Sequence, residues 1–129
     1  MSILDHAPRF SVEEARRFAW ELYGLSAIAS PLPSERDQNF LLLTDSEERF
    51  VLKIANASEE RGLLEAQNAA MAHLGRSLQF CPRVVPTTAG NEIGSVQSPE
   101  GRTHFVRLVS YLPGVPLGSN SNILKSRGF

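Results

Sequence analysis

The sequence of 129 residues contains a single cysteine, Cys81, and this scarcity removes two classes of small protein. One thiol cannot form an internal disulfide framework, and it cannot build a cysteine-based zinc site. A lone cysteine fits a reducing compartment, where its ordinary role is that of a small buried residue. We therefore expect a fold that depends on an apolar core and not on cross-links.

The sequence also lacks an excess of charge and any long apolar run. Its formal net charge is −1, so there is no electrostatic case for broad binding to nucleic acid or acidic membranes. No stretch approaches the roughly 20 apolar residues that span a bilayer, and Asp5 and Pro8 interrupt any signal-like run. We expect no nucleic-acid partner, no membrane partner and a cytoplasmic location.

What is present is the composition of one globular domain, with 42% apolar and 21% charged residues. The length suffices for one compact domain and is too short for two ordinary ones. Ser11 and Glu14 have the spacing of a capping box, and apolar residues then recur at helical intervals as far as Gly24. These features predict an amphipathic helix that lies on a sheet.

Short extended runs follow, separated by proline, glycine and polar turn residues. The second and third runs should form an antiparallel hairpin, because only the polar residues 45–48 separate them. The last run is the strongest of the later ones, and Pro113-Gly114 ends it. The predicted strands lie within 24–32, 39–44, 49–55, 83–86, 91–96 and 102–112, of which 83–86 and 91–96 are the weaker.

One lysine, Lys53, stands in the middle of the apolar, β-branched run 49–55. Strand side chains alternate between faces, so Lys53 shares its face with Val51 and Ala55. The opposite face of this strand is fully apolar. The pattern predicts a lysine with small and medium-sized neighbours.

A second helix is predicted over residues 56–74, begun by Asn56 or Ser58. Glu65 stacks with alanines beside the predicted apolar stripe, so it can approach another backbone closely. We interpret Lys53 and Glu65 as an ion pair across a nucleotide cleft. The alternatives are a strand lysine whose head reaches water and a solvated helix glutamate. The predicted apolar stripe is Leu63, Ala66, Ala70 and Leu74.

Three segments, in this order and at this spacing, resemble the N-terminal lobe of the aminoglycoside phosphotransferase family, which includes choline, homoserine and hydroxylysine kinases. The first segment is most similar to the hydroxylysine-kinase-like branch, which includes members fused to aminotransferases. The segments are Ser34-Glu35-Arg36-Asp37-Gln38-Asn39-Phe40, Phe50-Val51-Leu52-Lys53-Ile54 and Arg107-Leu108-Val109-Ser110-Tyr111-Leu112-Pro113-Gly114.

The resemblance implies an α+β fold, a protein-kinase-like N-lobe with a small antiparallel five-stranded sheet, an N-terminal helix and one αC-type helix. This lobe would occupy residues 1–117. Residues 118–129 are polar and small at first and then carry too few apolar side chains to specify an element. We expect them to form an irregular tail.

By the same resemblance, Lys53 would hold the α- and β-phosphates of ATP, and Glu65 would hold Lys53. Residues 34–39 would cover the phosphates, although they contain no glycine. The Ser34 hydroxyl or the Asn39 amide would then replace close backbone approach.

The adenine end of the cleft is also implied by the resemblance. Val51 would line the adenine pocket. Ser110, Tyr111 and Leu112 would form the hinge, whose backbone groups hydrogen-bond adenine.

A kinase of this family needs a catalytic aspartate in a His-Gly-Asp-like loop and a second aspartate on Mg²⁺, both beyond the hinge. The sequence has no aspartate after Asp45 and no acidic residue after Glu100. We therefore expect the ATP-binding half of a small-molecule phosphotransferase, which would transfer the γ-phosphate to a hydroxyl of an amine-bearing substrate. The chain would be truncated and inactive alone, would bind nucleotide weakly, and would use Mg²⁺ only with its missing C-terminal lobe.

A second hypothesis is a non-catalytic interaction module that uses the sheet face left open by the missing lobe. Its partner would be a second copy of the chain or the C-terminal lobe itself. A third is an unrelated α+β domain, which a long distance between Glu65 and Lys53 would favour.

Overall fold

A computed structural model describes residues 8–76 and 82–110 of the chain. Cys81, Tyr111, Leu112, the end of the predicted lobe and the predicted tail at 118–129 lie outside the described residues. The described elements are α1 (Val12–Tyr23), β1 (Ala27–Leu32), β2 (Gln38–Thr44), β3 (Arg49–Ile54), α2 (Arg61–Gly75), β4 (Val84–Val85), β5 (Gly94–Gln97) and β6 (Thr103–Ser110).

Helix α1 begins and ends where the sequence predicts. The Glu14 backbone N–H donates to Ser11 Oγ at 3.1 Å, and the Ser11 N–H donates to Glu14 Oε1 at 2.9 Å. This reciprocal pair satisfies two of the N–H groups that a helix start leaves without partners. At the other end Gly24 has a φ of 67°, the left-handed conformation that glycine adopts at low cost. The predicted amphipathic helix is confirmed.

The strands form one antiparallel sheet in the order β1-β2-β3-β6-β4, with β5 also paired to β6. β4 pairs with Leu108 and Val109, whereas β5 pairs with residues 103–106. Two short strands therefore share the long strand β6. The sheet therefore has six strands, where the family resemblance implied five.

One face of the sheet packs against α1 and holds the main core. Phe18 and Ala19 of the helix belong to the same buried cluster as Leu52 and Ile54 of β3, which are fully buried. The predicted alternation of β3 is confirmed, because the side chains assigned to its apolar face are the ones that join this cluster. The buried cluster is Phe10, Ala15, Phe18, Ala19, Tyr23, Ala27, Ala29, Phe40, Leu42, Leu52, Ile54, Val96, Val106 and Leu108.

A smaller cluster lies on the opposite face, where Leu64 of α2 packs with Ala55, Ile93 and Phe105. The position of Leu64 in this cluster shows which side of α2 faces the sheet, and this side is not the predicted one.

Helix α2 begins at Arg61 and not at Asn56 or Ser58, and its buried residues are Leu64 and Asn68. In the predicted stripe, Leu63 and Leu74 are each 49% exposed. The helix is therefore rotated by about one residue relative to the prediction, or roughly 100°.

Truncation of Leu52 tests the main core. Leu52 is fully buried between α1 and the sheet, so we expect Leu52→Ala to lower the free energy of unfolding by about 2–5 kcal/mol. Leu43→Ala, on the neighbouring strand at 36% exposure, should cost well under about 2 kcal/mol. Urea unfolding measures both. Equal losses in the two variants would contradict the assignment of this core.

Candidate functional site

A row of polar side chains crosses the face of the sheet that α2 covers. Asn39 of β2 is the register partner of Lys53 in β3, and Lys53 is the register partner of Arg107 in β6. Directly opposed residues of antiparallel strands point to the same face, with Cβ atoms about 4.5–5.5 Å apart. We call Asn39, Lys53 and Arg107 the polar row. It places two cations side by side.

Lys53 lies half-buried in the middle of the polar row. Burial lowers the pKa of its ammonium from the ordinary 10.5, the nearby charge of Arg107 lowers it further, and Asp37 opposes both effects. Among residues 8–76 and 82–110, no carboxylate forms an ion pair with it. The ammonium is therefore a partly desolvated donor that an anionic ligand can engage.

Arg107 is 6% exposed and fixes α2 to the sheet. Its Nη1 donates to Asn68 Oδ1 at 2.9 Å, and its Nη2 donates to Gln67 Oε1 at 2.9 Å. Burial lowers the pKa of Arg107 from its ordinary value, while Asp37, Glu59 and Tyr23 raise it. The guanidinium stays charged in any case. We call its contact with Gln67 and Asn68 the guanidinium–amide anchor.

The predicted ion pair between Lys53 and Glu65 is not formed. The Glu65 side chain is 60% exposed, and its Oε2 lies 3.5 Å from Nε of Arg61, one turn earlier on the same helix. The physical reason is the orientation of α2, since the anchor turns Asn68 toward the sheet and Glu65 toward solvent. An exposed pair of this kind contributes little to stability.

The segment 34–39 is predicted to cover the phosphates, and its first part, residues 34–37, precedes β2 and is held near the end of β3 by Asn56. The Asn56 backbone N–H donates to Asp37 Oδ1 at 3.0 Å, and its side-chain amide donates to Arg36 O at 3.4 Å. Asn56 Oδ1 also accepts from the Ser58 N–H at 2.9 Å. The exposed Ser34 hydroxyl donates to the Asp37 carbonyl. The loop is thus tied to Asn56, two residues beyond the end of the lysine strand.

Asn39 fits its predicted role only through one of its two amide atoms. Its Oδ1 is buried and has no hydrogen-bond partner among the described residues. The oxygens of a phosphate are hydrogen-bond acceptors, as is Asn39 Oδ1, so the two cannot bond to each other. A contact between Asn39 and a phosphate would have to come from the Nδ2 donor. Oδ1 instead suits a donor, such as a ligand hydroxyl or the neighbouring ammonium.

Two residues at the predicted adenine end lie in the described part of the chain. Val51 is 3% exposed, two residues from Lys53 on the same face, and it pairs with Val109. Ser110 donates its backbone N–H to Arg83 O at 2.9 Å, so this group is already occupied. The adenine contacts of Val51 and of the hinge stay predictions.

Sequence reasoning missed Arg107 and the two amides that hold it. The pattern that identified Lys53, a lone cation within an apolar strand, is repeated by Arg107 in β6. The same alternation rule, applied to β6, would have placed it on the face of α2. Asn68 gave no comparable pattern, because a polar residue on a helix is usually solvated.

Within residues 8–76 and 82–110, no group of three or more His, Cys, Asp or Glu side chains is placed to hold a metal ion. Neither α1 nor α2 has the length and apolar character needed to cross a membrane.

Residues 28–126 match the phosphotransferase enzyme family, APH. The chain belongs to this family. The hydroxylysine kinase of Xenopus laevis is 34% identical over 124 residues, with 88% of this chain and 33% of the relative covered. That of Danio rerio is 32% identical over 123 residues, with 91% and 35% covered. The chain thus spans about a third of the length of these relatives.

Two solved structures share the fold. An amicoumacin kinase in complex with AMP-PNP, Ca²⁺ and Ami superposes with a TM-score of 0.65 at 13% identity, covering 81% of this chain and 32% of that one. A microcompartment-associated aminopropanol kinase gives 0.65 at 21% identity, covering 82% and 33%. The predicted kinase-like N-lobe is confirmed.

The lowered pKa of Lys53 makes the free energy of unfolding depend on pH, and the direction of the shift fixes the sign of that dependence. Its pKa is lower in the folded protein than the ordinary 10.5, so the folded state releases the proton first. The free energy of unfolding should therefore rise with pH between the folded value and 10.5. We expect Lys53→Met to lose this rise, as measured by urea unfolding at increasing alkaline pH.

The measurement should stop below pH 10.0, because burial raises the pKa of Tyr23 above that value and gives an opposite slope. Arg49→Met changes an exposed cation on the same strand and should keep the rise. A rise that persists in Lys53→Met would show that another group causes it.

The contacts of Asn56 generate a separate prediction. Asn56→Ala removes the acceptor for Ser58 and the donor to Arg36 O, which should cost about 1–3 kcal/mol. Amide hydrogen exchange should become faster in residues 34–37 and remain unchanged in α1. Asn91→Ala, at an exposed turn, is the control, and unchanged exchange at 34–37 would refute this role of Asn56.

Proposed function

We propose that the chain is the ATP-binding part of a small-molecule phosphotransferase and that Lys53 binds the phosphates of ATP. The observation that carries this proposal is the Lys53 ammonium, which is partly desolvated and has no ion-pair partner among the described residues. Membership of the phosphotransferase family supports it. Use of ATP and a lone cysteine fit a cytoplasmic location, which we also propose.

The residues present fit a triphosphate. Bound ATP would supply the phosphoryl group, and Mg²⁺ would compensate its charge. Lys53 would fix the phosphates as a point charge beside the loop 34–37, and the apolar Val51 would border the base. Phosphoryl transfer depends mainly on positioning and charge compensation, and this part of the chain contributes to both.

We propose a hydroxyl of an amine-bearing small molecule as the acceptor. The names of the hydroxylysine kinases and of the aminopropanol kinase describe molecules that carry both groups. These 129 residues contain no aspartate after Asp45, and so we expect them to bind nucleotide without transferring phosphate. The Mg²⁺ ligands and the general base would come from the part that the relatives have in addition.

Titration with ATP and Mg²⁺ tests the role of Lys53. We expect weak binding, with a Kd above about 1 mM, because this part supplies only one side of the nucleotide site. Lys53→Ala should abolish it, since the compensating charge is lost. Isothermal calorimetry gives the upper limit of affinity, and chemical-shift changes of backbone amides near Lys53 report weak binding.

Arg49→Ala is the matched control, because it removes an exposed cation from the same face of β3, roughly 13 Å away. Binding that survives Lys53→Ala would refute the proposed site, and submillimolar binding by wild type would contradict the expected weakness. The interaction-module alternative predicts self-association that Lys53→Ala leaves unchanged, which sedimentation analysis measures.

A further inference from the structure

Lys53 and Arg107 form a pair of like charges that their direct partners do not neutralise. The two residues are opposite each other in the β3–β6 register. The hydrogen-bond acceptors of Arg107 are the neutral amides of Asn68 and Gln67. Like charges at opposed strand positions are unfavourable, and burial increases the cost.

The nearest carboxylates compensate this pair only from a distance. Asp37 and Glu59 both act on Arg107 electrostatically, and Asp37 also acts on Lys53. Neither carboxylate forms an ion pair with Lys53 or Arg107: Asp37 Oδ1 accepts from the Asn56 N–H, and Glu59 Oε2 lies 3.6 Å from Nη2 of the exposed Arg36. Tyr23, which also acts electrostatically on Arg107, is buried. The site therefore keeps positive charge that an exogenous anion can compensate.

The choice of amides at positions 67 and 68 has an electrostatic consequence. A carboxylate at either position would also accept from Arg107, and it would cancel the charge of the guanidinium. An amide provides the same hydrogen bond and leaves that charge in place. The anchor thus positions α2 without neutralising the cation beneath it.

We propose that Arg107 is a second cationic residue of the phosphate site, which acts through its field on a ligand bound at Lys53 and makes the site favour a polyphosphate chain over a single phosphate group. The inference rests on the proposed function. Arg107 is buried beneath α2 and would act on the ligand through its field, so it is a positioning residue. A polyphosphate carries several negative charges within a few ångströms and gains more from a second cation than one phosphate does.

The sequence allows a direct measurement, because it contains only two lysines, Lys53 and Lys125. Reductive methylation with ¹³C-formaldehyde preserves the charge and labels both side chains and the N-terminal amine. A Lys125→Arg variant assigns the signals. The probes are tripolyphosphate and inorganic phosphate, and the readout is the initial slope of the Lys53 chemical shift against ligand concentration.

Three variants separate the charge of Arg107 from its packing role. Arg107→Lys keeps the positive charge and loses the pair of hydrogen bonds to Asn68 and Gln67, whereas Arg107→Gln removes the charge. Gln67→Glu retains the contact and neutralises the guanidinium in place. Ala66→Glu is the matched control, because it adds the same charge at an exposed position of the same helix.

We expect Gln67→Glu and Arg107→Gln to lower the preference for tripolyphosphate over phosphate by about tenfold, a difference of about 1.4 kcal/mol. Both should also raise the pKa of Lys53 in the same titration. Arg107→Lys and Ala66→Glu should keep the preference within about twofold. If Arg107→Gln fails to fold, the result for Gln67→Glu alone tests the inference.

An unchanged preference in Gln67→Glu would overturn the inference and leave Arg107 as a packing anchor only. That result would not touch the proposed function, which depends on the loss of binding in Lys53→Ala. Conversely, nucleotide binding that survives Lys53→Ala would refute the proposed phosphate site at Lys53. The two failures are therefore distinguishable.

Discussion

The contact between Arg107 and the two amides of α2 determines how this part of the protein is arranged. Its bond to Asn68 is buried and its bond to Gln67 is partly buried. The contact joins a helix to the strand beside β3, and its hydrogen bonds have the length expected of charge-assisted bonds. The small apolar cluster around Leu64 could not fix the rotation of α2 alone, because it buries only three residues. With the anchor in place, the face of α2 that meets the sheet is fixed.

This anchor also explains why Lys53 has no carboxylate ion-pair partner among residues 8–76 and 82–110. In the predicted arrangement a helix glutamate both positions the lysine and balances it. Here Arg107 positions the helix, and Lys53 is free for the ligand that we propose. A desolvated ammonium with no carboxylate partner costs free energy in the folded state. Such a cost at a candidate site is typical of groups that are arranged for binding and not for stability.

The sequence was most informative where its pattern was unambiguous. The alternation in β3 allows only one assignment of its two faces, because a shift by one residue would bury Lys53 in the core and expose Leu52. The capping box and Gly24 fixed α1 in the same way. Helix α2 is different, because leucines and alanines occur on several of its faces and no single stripe excludes the others. Its orientation is decided by a tertiary contact across 39 residues, which local periodicity does not contain.

Asn56 ties the loop 34–37 to the end of the lysine strand, and this has a consequence for how a ligand would enter. A loop without glycine, fixed by hydrogen bonds to a residue that is 1% exposed, has no hinge of its own. Loop and strand should therefore move as one rigid unit. Access to the proposed phosphate site would then depend on the distance between this unit and the structure that packs opposite it. The rate of ligand exchange would measure how often that distance increases.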